Sequence, residues 1–135
     1  MGTVRGQGYT YSGHTTACAA ALANLGMIER EGLDTRARKL EGSLASALAD
    51  LTDHPLVSEV RTGVGLLGAV QLDPARIEED ASLPGRTAVT CRNAGVITRA
   101  LAGGGLQISP PLVIDEAQLL ELAAGIGAGL DAVAA

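Results

Sequence analysis

Residues 8–22, GYTYSGHTTACAAAL, gather several hydroxyl and ring side chains that could do chemistry. Two tyrosines, four aliphatic hydroxyls and His14 stand directly before an alanine-rich segment that predicts a helix. Hydroxyls and backbone N–H groups beside a helix N-terminus suit an anion such as a phosphate. Taken alone, the same residues also fit a simple capped helix start. His14 has no acidic residue at local spacing, which favours a structural role over that of a catalytic base.

A second glycine-marked stretch, GVGLLG at residues 63–68, matches the G-x-G-x-x-G pattern of dinucleotide-binding folds. Such a site needs the motif to open a helix whose N-terminus meets the pyrophosphate. Here residues 69–72 continue with strand character, and Asp73 and Pro74 then end it. We therefore predict a kinked strand whose glycines permit close backbone approach, rather than a nucleotide site.

The composition limits the classes of function. A chain of 135 residues can form one domain that buries roughly two-thirds of its unfolded surface. The net charge is -5 and the acidic groups are spread out, so no basic surface is available for nucleic acid. Phe and Trp are absent, so the core must consist of Leu, Ile, Val and Ala.

The cysteines and the first residues of the sequence indicate the cellular compartment in which the protein is expected. Cys18 and Cys91 lie far apart without metal-type spacing, which predicts one buried helix cysteine and one incidental cysteine, with no metal site. Free thiols favour a reducing, cytoplasmic location. The start lacks the apolar region of a signal peptide. No apolar run is expected to be long enough to cross a membrane, so we predict no membrane partner.

A long helical region is predicted at residues 15–51, after an irregular arm at residues 1–13. Gly26 and Gly32 are expected to bend or interrupt it, and residues 53–55 to end it. Its second half carries apolar residues three or four positions apart, which form one stripe along a helix. The stripe consists of Leu33, Ala37, Leu40, Leu44, Leu48 and Leu51.

The remaining residues predict a mixture of short strands and helices. We expect one or two strands at residues 57–72, a polar loop at 73–85, a short helix at about 86–94, and strands at 95–101 and 106–112. The last helix begins after Asp115 as its N-cap, with Glu116 favourable in the first turn. Its apolar stripe is Leu119, Leu122, Ile126, Leu130 and Val133. This order of elements indicates a small α+β layer structure.

Three stretches resemble the class III aminotransferases, which use pyridoxal 5′-phosphate (PLP). TYSGHTTACAAALANLGMIEREGL is similar to the family signature that follows the catalytic lysine, where Thr-Tyr-Ser-Gly-His-Pro is usual and Thr15 here replaces the proline. HPLVSEVRTGVGLLGAVQL and NAGVITRALAGGGLQISPPLVI resemble later family segments in the same order. The resemblance covers essentially the whole chain.

The resemblance implies the C-terminal portion of a fold-type I PLP-dependent transferase, with a short, mostly antiparallel sheet covered by helices. Residues 1–14 would be a cofactor and dimer-interface loop, 15–51 a connecting helical region and 52–135 the small domain. The large domain, which holds the Schiff-base lysine in the family, is not in this sequence. Lys39, the sole lysine, lies among charges on the polar side of a predicted helix and is expected to be a surface residue.

The family also implies candidate binding residues. Thr10 would hydrogen-bond the cofactor phosphate of a neighbouring subunit, with Tyr9 lining the same site, which implies a homodimer or larger homo-oligomer. Arg99 would bind the substrate carboxylate, although a surface strand arginine is the simpler alternative. Gln107 stands where other branches carry an arginine, so the chain is more similar to the ω-amino acid:pyruvate type. Arg61 is expected to be structural.

Three functions follow from these observations. The first is the C-terminal part of an aminotransferase that acts on a small amine and a keto acid such as pyruvate, inactive without its large domain and with no catalytic residue of its own. The second is a non-catalytic interaction module that uses the stripe of residues 15–51. The third is a small-ligand-binding domain that reuses the fold.

Overall fold

A computed structural model of the chain describes residues 8–135, so most of the arm predicted at residues 1–13 lies outside the described part. The chain divides into two compact units, Met1–Leu33 and Asp34–Ala135. The first unit holds a single long helix, and the second holds the sheet with the remaining helices.

Helix α1 (Thr15–Glu31) dominates the described part of the first unit. His14 is its N-cap, and the His14 Nδ1 atom accepts a hydrogen bond from the N–H of Ala17 at 3.1 Å. The helix runs through Gly26 without interruption, so the predicted interruption occurs at Gly32 and not at Gly26. It ends at Gly32, whose φ of 58° is the left-handed conformation that suits a helix C-cap. None of the residues in α1 is buried.

The predicted apolar stripe runs along three short helical segments. These are α2 (Leu33–Lys39), α3 (Glu41–Leu48) and a 3-10 helix (Ala49–Asp53). Leu44, Leu48 and Leu51 are buried in the core, and Ala37 and Leu40 pack against it. The helical region ends at Asp53, as predicted from the residues that follow.

Three antiparallel strands form the sheet, in the order β1 (Val57–Val64), β2 (Leu67–Leu72) and β3 (Gly105–Ile108). Val60 pairs with Val70 and Val70 with Leu106, so these apolar residues share the inner face. On the outer face, Arg61 pairs with Ala69 and Ala69 with Gln107. The core therefore lies on one side of the sheet and the other side is polar.

The GVGLLG stretch forms the hairpin between β1 and β2. Gly63 and Gly65 adopt positive φ values of 100° and 57°, which favour glycine. The N–H of Gly65 donates to the Glu41 carboxylate at 2.6 Å, which ties the hairpin to α3. No helix opens at this motif, and a turn at residues 65 and 66 separates two strands in place of the single kinked strand predicted there.

The predicted loop at residues 73–85 is wrong, because helix α4 (Pro74–Glu79) occupies its first half. Asp73 caps this helix by accepting from the N–H groups of Ala75 and Arg76 at 2.7 and 3.3 Å. Pro74 suits the first helical position because its missing N–H would have no helical partner there. Helix α5 (Leu83–Asn93) then begins earlier than predicted.

Residues 95–101 do not form the predicted strand. Only Ala100 makes an isolated antiparallel bridge, to Leu106 of β3. Two backbone hydrogen bonds flank that bridge: Gln107 donates to the Arg99 carbonyl at 2.9 Å, and Leu101 donates to the Gly105 carbonyl at 2.7 Å. The segment therefore follows β3 at the sheet edge over a short distance only.

Helix α6 (Glu116–Ala134) begins with the predicted cap, since Asp115 and Gln118 form a reciprocal capping box. Four of the five predicted stripe residues are buried: Leu119, Ile126, Leu130 and Val133. By length and composition this helix could cross a membrane, so the expectation that no apolar run is long enough is wrong. Buried core helices pass the same test, and the stripe of α6 belongs to the core.

The second unit is an α+β layer structure, as predicted. α3 contacts β1, α5 contacts β3, and α6 contacts both α3 and α5. Cys91 of α5 is buried and burial raises the pKa of its thiol, whereas Cys18 of α1 is exposed. Within residues 8–135, no three His, Cys, Asp or Glu side chains form a group that could hold a metal ion.

Candidate functional site

The polar turn at residues 9–13 leads directly into α1. The N–H of Tyr9 donates to the Ser12 hydroxyl at 2.8 Å, and the N–H of Ser12 donates to the Tyr9 carbonyl at 2.9 Å. The turn holds Thr10 at its centre, just ahead of the helix N-terminus. Both predicted cofactor-binding residues, Tyr9 and Thr10, are exposed.

This turn fits one end of PLP. The first N–H groups of a helix lack helical partners and favour an anion, and Thr10 lies in the turn that leads into α1. A phosphate group therefore matches the chemistry of these residues. The aldehyde end of the cofactor needs a lysine, and Lys39 is exposed in the last turn of α2. The residues of this chain thus fit the phosphate and leave the aldehyde to a lysine from elsewhere.

Arg99 lines a cavity of about 570 Å³ in the second unit. One wall is the segment from Ala94 to Arg99, a second is the end of β3 with Pro110 and Pro111, and the third is the first half of α6. The Arg99 side chain is exposed and makes no hydrogen bond or ion pair with another residue in the range 8–135. The guanidinium is therefore available to a carboxylate, for which its planar donor pair is well suited.

The other polar groups around the cavity are mostly uncharged. Gln107 donates to the Ser109 hydroxyl at 3.1 Å, and the Thr98 hydroxyl donates to the Gln107 carbonyl at 2.8 Å. Gln118 and Glu121 contribute from α6. Gln107, which stands where some branches are expected to carry an arginine, thus lines the same cavity as Arg99. Both residues stand out in the sequence through the family resemblance, whereas the cavity that they line does not.

Arg36 supports one wall of this cavity and was missed in the sequence. Its Nη2 atom donates to the carbonyls of Ile114 and Val113 at 2.7 and 3.4 Å. These bonds fix the segment that follows Pro111. Because the partners lie 77 and 78 residues away, no local pattern could have indicated this role.

Arg61 takes part in a hydrogen-bond network on the outer face of the sheet. Its guanidinium donates to the Glu59 carboxylate at 2.6 Å and to the Gln71 amide oxygen at 3.2 Å. The Gln71 Nε2 atom in turn donates to the Gly103 carbonyl at 2.6 Å. The structural role predicted for Arg61 thus has a physical basis, while Gln71 was not singled out by the sequence.

The antiparallel sheet, the covering helices and the turn before α1 together define the C-terminal part of a fold-type I PLP-dependent transferase. The model of the aminotransferase class III family matches residues 1–129. The chain belongs to the class III aminotransferase family.

Curated relatives agree with this assignment. The diaminobutyrate–2-oxoglutarate transaminase of Halomonas elongata is 40% identical over 126 residues, which are 88% of this chain and 27% of that protein. The putrescine–pyruvate aminotransferase of Pseudomonas aeruginosa is 37% identical over 85% of this chain and 26% of its own length. The chain therefore spans about a quarter of the relatives it matches.

Solved structures give the same result. A transaminase with L-alanine superposes with a TM-score of 0.81 at 38% identity, over 96% of this chain and 31% of its own. An amine transaminase from an uncultivated Pseudomonas species, in its PLP-bound form, gives a TM-score of 0.80 at 36% identity, over 96% of this chain and 30% of its own. The predicted family and fold class are confirmed, and so is PLP as the cofactor of the complete enzyme. The roles of Thr10, Tyr9 and Arg99 remain predictions.

Proposed function

We propose that this chain is the C-terminal part of a PLP-dependent aminotransferase that moves an amino group from an amine or ω-amino acid to a keto acid such as pyruvate. One observation carries the proposal. Arg99 lines a cavity, its side chain makes no hydrogen bond or ion pair with residues 8–135, and hydrogen bonds at the Arg99 carbonyl and the Leu101 N–H hold its backbone to β3. This arrangement suits the capture of a carboxylate, which the keto acid supplies.

The chain alone is proposed to be inactive. PLP, when bound, accepts the amino group and serves as an electron sink, but it needs a lysine at its aldehyde. Lys39 is exposed and lies in the last turn of α2, which gives it no site for that chemistry. The missing large domain of the complete enzyme would supply the lysine.

Thr10 and Tyr9 are proposed to serve the cofactor phosphate of a neighbouring subunit in a cytoplasmic homodimer or larger homo-oligomer. The Thr10 hydroxyl would donate one hydrogen bond to the phosphate. Thr10→Ala should then weaken PLP retention by about 1.5–3 kcal/mol, the value of one hydrogen bond to a charged group. Unchanged retention, measured by dialysis of the complete enzyme, would remove Thr10 from the site.

Pyruvate is the proposed acceptor because Gln107 leaves Arg99 as the one arginine that lines the described cavity. One relative, the putrescine–pyruvate aminotransferase, has that acceptor in its name. A 2-oxoglutarate acceptor is the second candidate, since the relative that is 40% identical is named for it. A second carboxylate would need a second cation, so a clear preference for 2-oxoglutarate over pyruvate would favour this alternative.

The test uses a holoenzyme in which residues 1–135 form the C-terminal part, joined to the upstream portion of the Pseudomonas aeruginosa relative. Arg99→Leu should lower kcat/KM for pyruvate by about tenfold to a hundredfold, which corresponds to lost charge-assisted hydrogen bonds. It should leave the acceptor butanal, which has no carboxylate, nearly unchanged. Arg92→Leu, at an exposed arginine in the last turn of α5, is the matched control. Equal losses for both acceptors would contradict the proposed role.

A further experiment separates this proposal from an independent ligand-binding domain or an interaction module. The purified chain is mixed with PLP and treated with borohydride, which traps a Schiff base. With equimolar PLP we expect no stoichiometric adduct, because Lys39 is an exposed residue in the last turn of α2. A stoichiometric adduct at Lys39 would show that the chain binds PLP by itself. Concentration-dependent self-association with no effect on any aminotransferase would favour the interaction module.

A further inference from the structure

We propose that Gln71, oriented by Arg61, is a positioning residue for Arg99. Gln71 fixes the glycine turn at residues 101–105, through which the Arg99 segment returns to β3. The inference rests on the proposed function, because it concerns the arginine to which we assign the substrate carboxylate. The residues involved all belong to the second unit.

Gln71 is held in one orientation by its two sets of partners. Its Oε1 atom accepts from Arg61 Nη2 at 3.2 Å, and Arg61 is itself held by the Glu59 carboxylate at 2.6 Å. The amide nitrogen must then face the other way, where it donates to the Gly103 carbonyl at 2.6 Å. Arg61 therefore selects the side-chain orientation in which Gln71 reaches the turn.

An added contact stabilises this turn because ordering its consecutive glycines costs conformational entropy. Gly103 and Gly104 have φ values of 83° and 85°, and Gly105 follows them directly. Glycine loses more conformational freedom on ordering than any other residue. The backbone bonds of the turn are Gly104 to the Leu101 carbonyl at 3.0 Å and Leu72 to the Gly104 carbonyl at 3.1 Å. Gln71 adds the side-chain bond to the Gly103 carbonyl.

The Gln71 side chain lies over Gly105 of β3. The two residues are paired across β2 and β3, so a side chain on Gly105 would share the outer face with Gln71. A Cβ atom there would lie 3.4 Å from Gln71 Oε1 and 3.5 Å from Arg61 Nη2. These are ordinary van der Waals distances, so the Gln71 amide and the Arg61 guanidinium lie directly over Gly105 on the outer face.

The glycine turn at residues 101–105 helps to fix the position of the Arg99 backbone relative to β3. The Arg99 carbonyl accepts from Gln107 at 2.9 Å, and two residues later Leu101 donates to Gly105 at 2.7 Å. The second bond belongs to the turn that Gln71 holds. Since the Arg99 side chain makes no hydrogen bond or ion pair with other residues in the described range, its backbone sets the origin from which the guanidinium reaches the cavity. A loosened turn would therefore broaden the range of positions of the carboxylate-binding group.

Gln71→Glu tests the contact directly. The new carboxylate still accepts from Arg61 but cannot donate to the Gly103 carbonyl. We expect amide hydrogen exchange at Leu101 and Gly104 in the 135-residue chain to become about fivefold faster, the factor that one net hydrogen bond supplies. Exchange at Leu130, in the core, should not change. Glu59→Gln, which weakens the bond that holds Arg61, should speed exchange at Leu101 and Gly104 less than Gln71→Glu does, because Gln71 keeps its own donor to the Gly103 carbonyl.

The consequence for substrate is measured in the holoenzyme described above. Gln71→Glu should raise KM for pyruvate by up to about fivefold while kcat/KM for butanal stays constant. Unchanged exchange in the turn, or equal losses with both acceptors, would overturn the positioning role of Gln71. If Arg99→Leu impairs both acceptors equally, the carboxylate role of Arg99 fails. In that case the exchange result alone decides whether Gln71 holds the turn.

Discussion

Replacing Gly129 by alanine should destabilise the second unit, although alanine is the better helix former. Gly129 lies on the buried side of α6 against Cys91 of α5. A Cβ atom at Gly129 would lie 2.5 Å from Cys91 Sγ and 2.7 Å from both the Cys91 N and Cα atoms. Two of these three atoms are backbone, so no side-chain rotation relieves the overlap and α5 itself must shift. The Thr90 hydroxyl also donates to the Gly129 carbonyl at 2.7 Å, a bond that such a shift would distort.

The magnitude follows from two opposing effects. Glycine to alanine within a helix stabilises it by about 1 kcal/mol. Overpacking a tight contact costs about 1–3 kcal/mol, and backbone overlap places Gly129 at the upper end. The net loss should be about 1–2 kcal/mol. Gly127→Ala is the matched control, because its Cβ would meet only Leu51 Cδ2, at an ordinary 3.5 Å. That variant should gain about 0.5–1 kcal/mol from helix propensity alone.

Urea unfolding of the purified chain, followed by far-UV circular dichroism, separates the two variants. With a denaturant slope of about 2 kcal/mol per molar urea, their midpoints should differ by roughly 1 M, with the parent chain between them. A midpoint for Gly129→Ala at or above that of the parent chain would refute the argument from α5 packing. Equal shifts of both midpoints in one direction would show that helix propensity, rather than contact with α5, determines the stability of both alanine variants.

Three further predictions concern the N-cap of α6, the Asp80 carboxylate and the two cysteine thiols. Asp115→Ala removes the N-cap of α6 and should lower the free energy of unfolding by about 1 kcal/mol in the same urea assay, with Asp115→Asn close to the parent chain. Hydrogen bonds from the Ser82 hydroxyl and N–H, together with the Arg86 charge, lower the pKa of Asp80 below its ordinary 3.8. The ionised Asp80 carboxylate therefore stabilises the fold above pH 3.8, and this stabilisation is lost as the pH falls through the lower pKa that Asp80 has in the folded state. Asp80→Asn should therefore reduce the slope of stability against pH in this acidic range, and an unchanged slope would contradict the assignment. Burial raises the pKa of the Cys91 thiol above its ordinary 9.0, so the free energy of unfolding should fall as the pH rises past 9.0. At about pH 8, a thiol reagent should label the exposed Cys18 rapidly and the buried Cys91 only after unfolding. Loss of the rapid phase in Cys18→Ser would confirm the assignment, and two equally fast thiols in the parent chain would contradict it.

Local patterns predicted the elements that have a strong local cause. The Asp115 cap and the stripe through Ile126 predict α6 correctly, because caps and periodicity act within a few residues. The polar composition of residues 73–85 predicts a loop that begins at the proline, and so it does not indicate α4. After the Asp73 cap, however, Pro74 occupies the first helical position, which suits proline. Residues 95–101 have strand composition, but their pairing with β3 is limited to Ala100 and its neighbours.

The candidate site could be predicted only in part. Thr10, Tyr9 and Arg99 follow from resemblance to the family, since neither a hydroxyl turn nor a strand arginine is specific by itself. The Gln71 side chain donates a hydrogen bond to a carbonyl 32 residues away, and the Arg36 side chain donates to carbonyls 77 and 78 residues away. Such contacts depend on how distant elements pack, and a single sequence carries no periodic signal for them.

The lack of buried residues in α1 has a consequence for the resistance of this segment to proteolysis. A helix of 17 residues is near the length at which isolated helices become marginal in water, and Leu22 and Leu25 are 70% and 60% exposed. Proteases cut segments that open easily, so α1 would be cleaved first whenever its apolar side lacks a partner. A partner that covers this helix would slow its degradation. The amount of intact chain would then follow the supply of that partner, and copies made in excess would be removed.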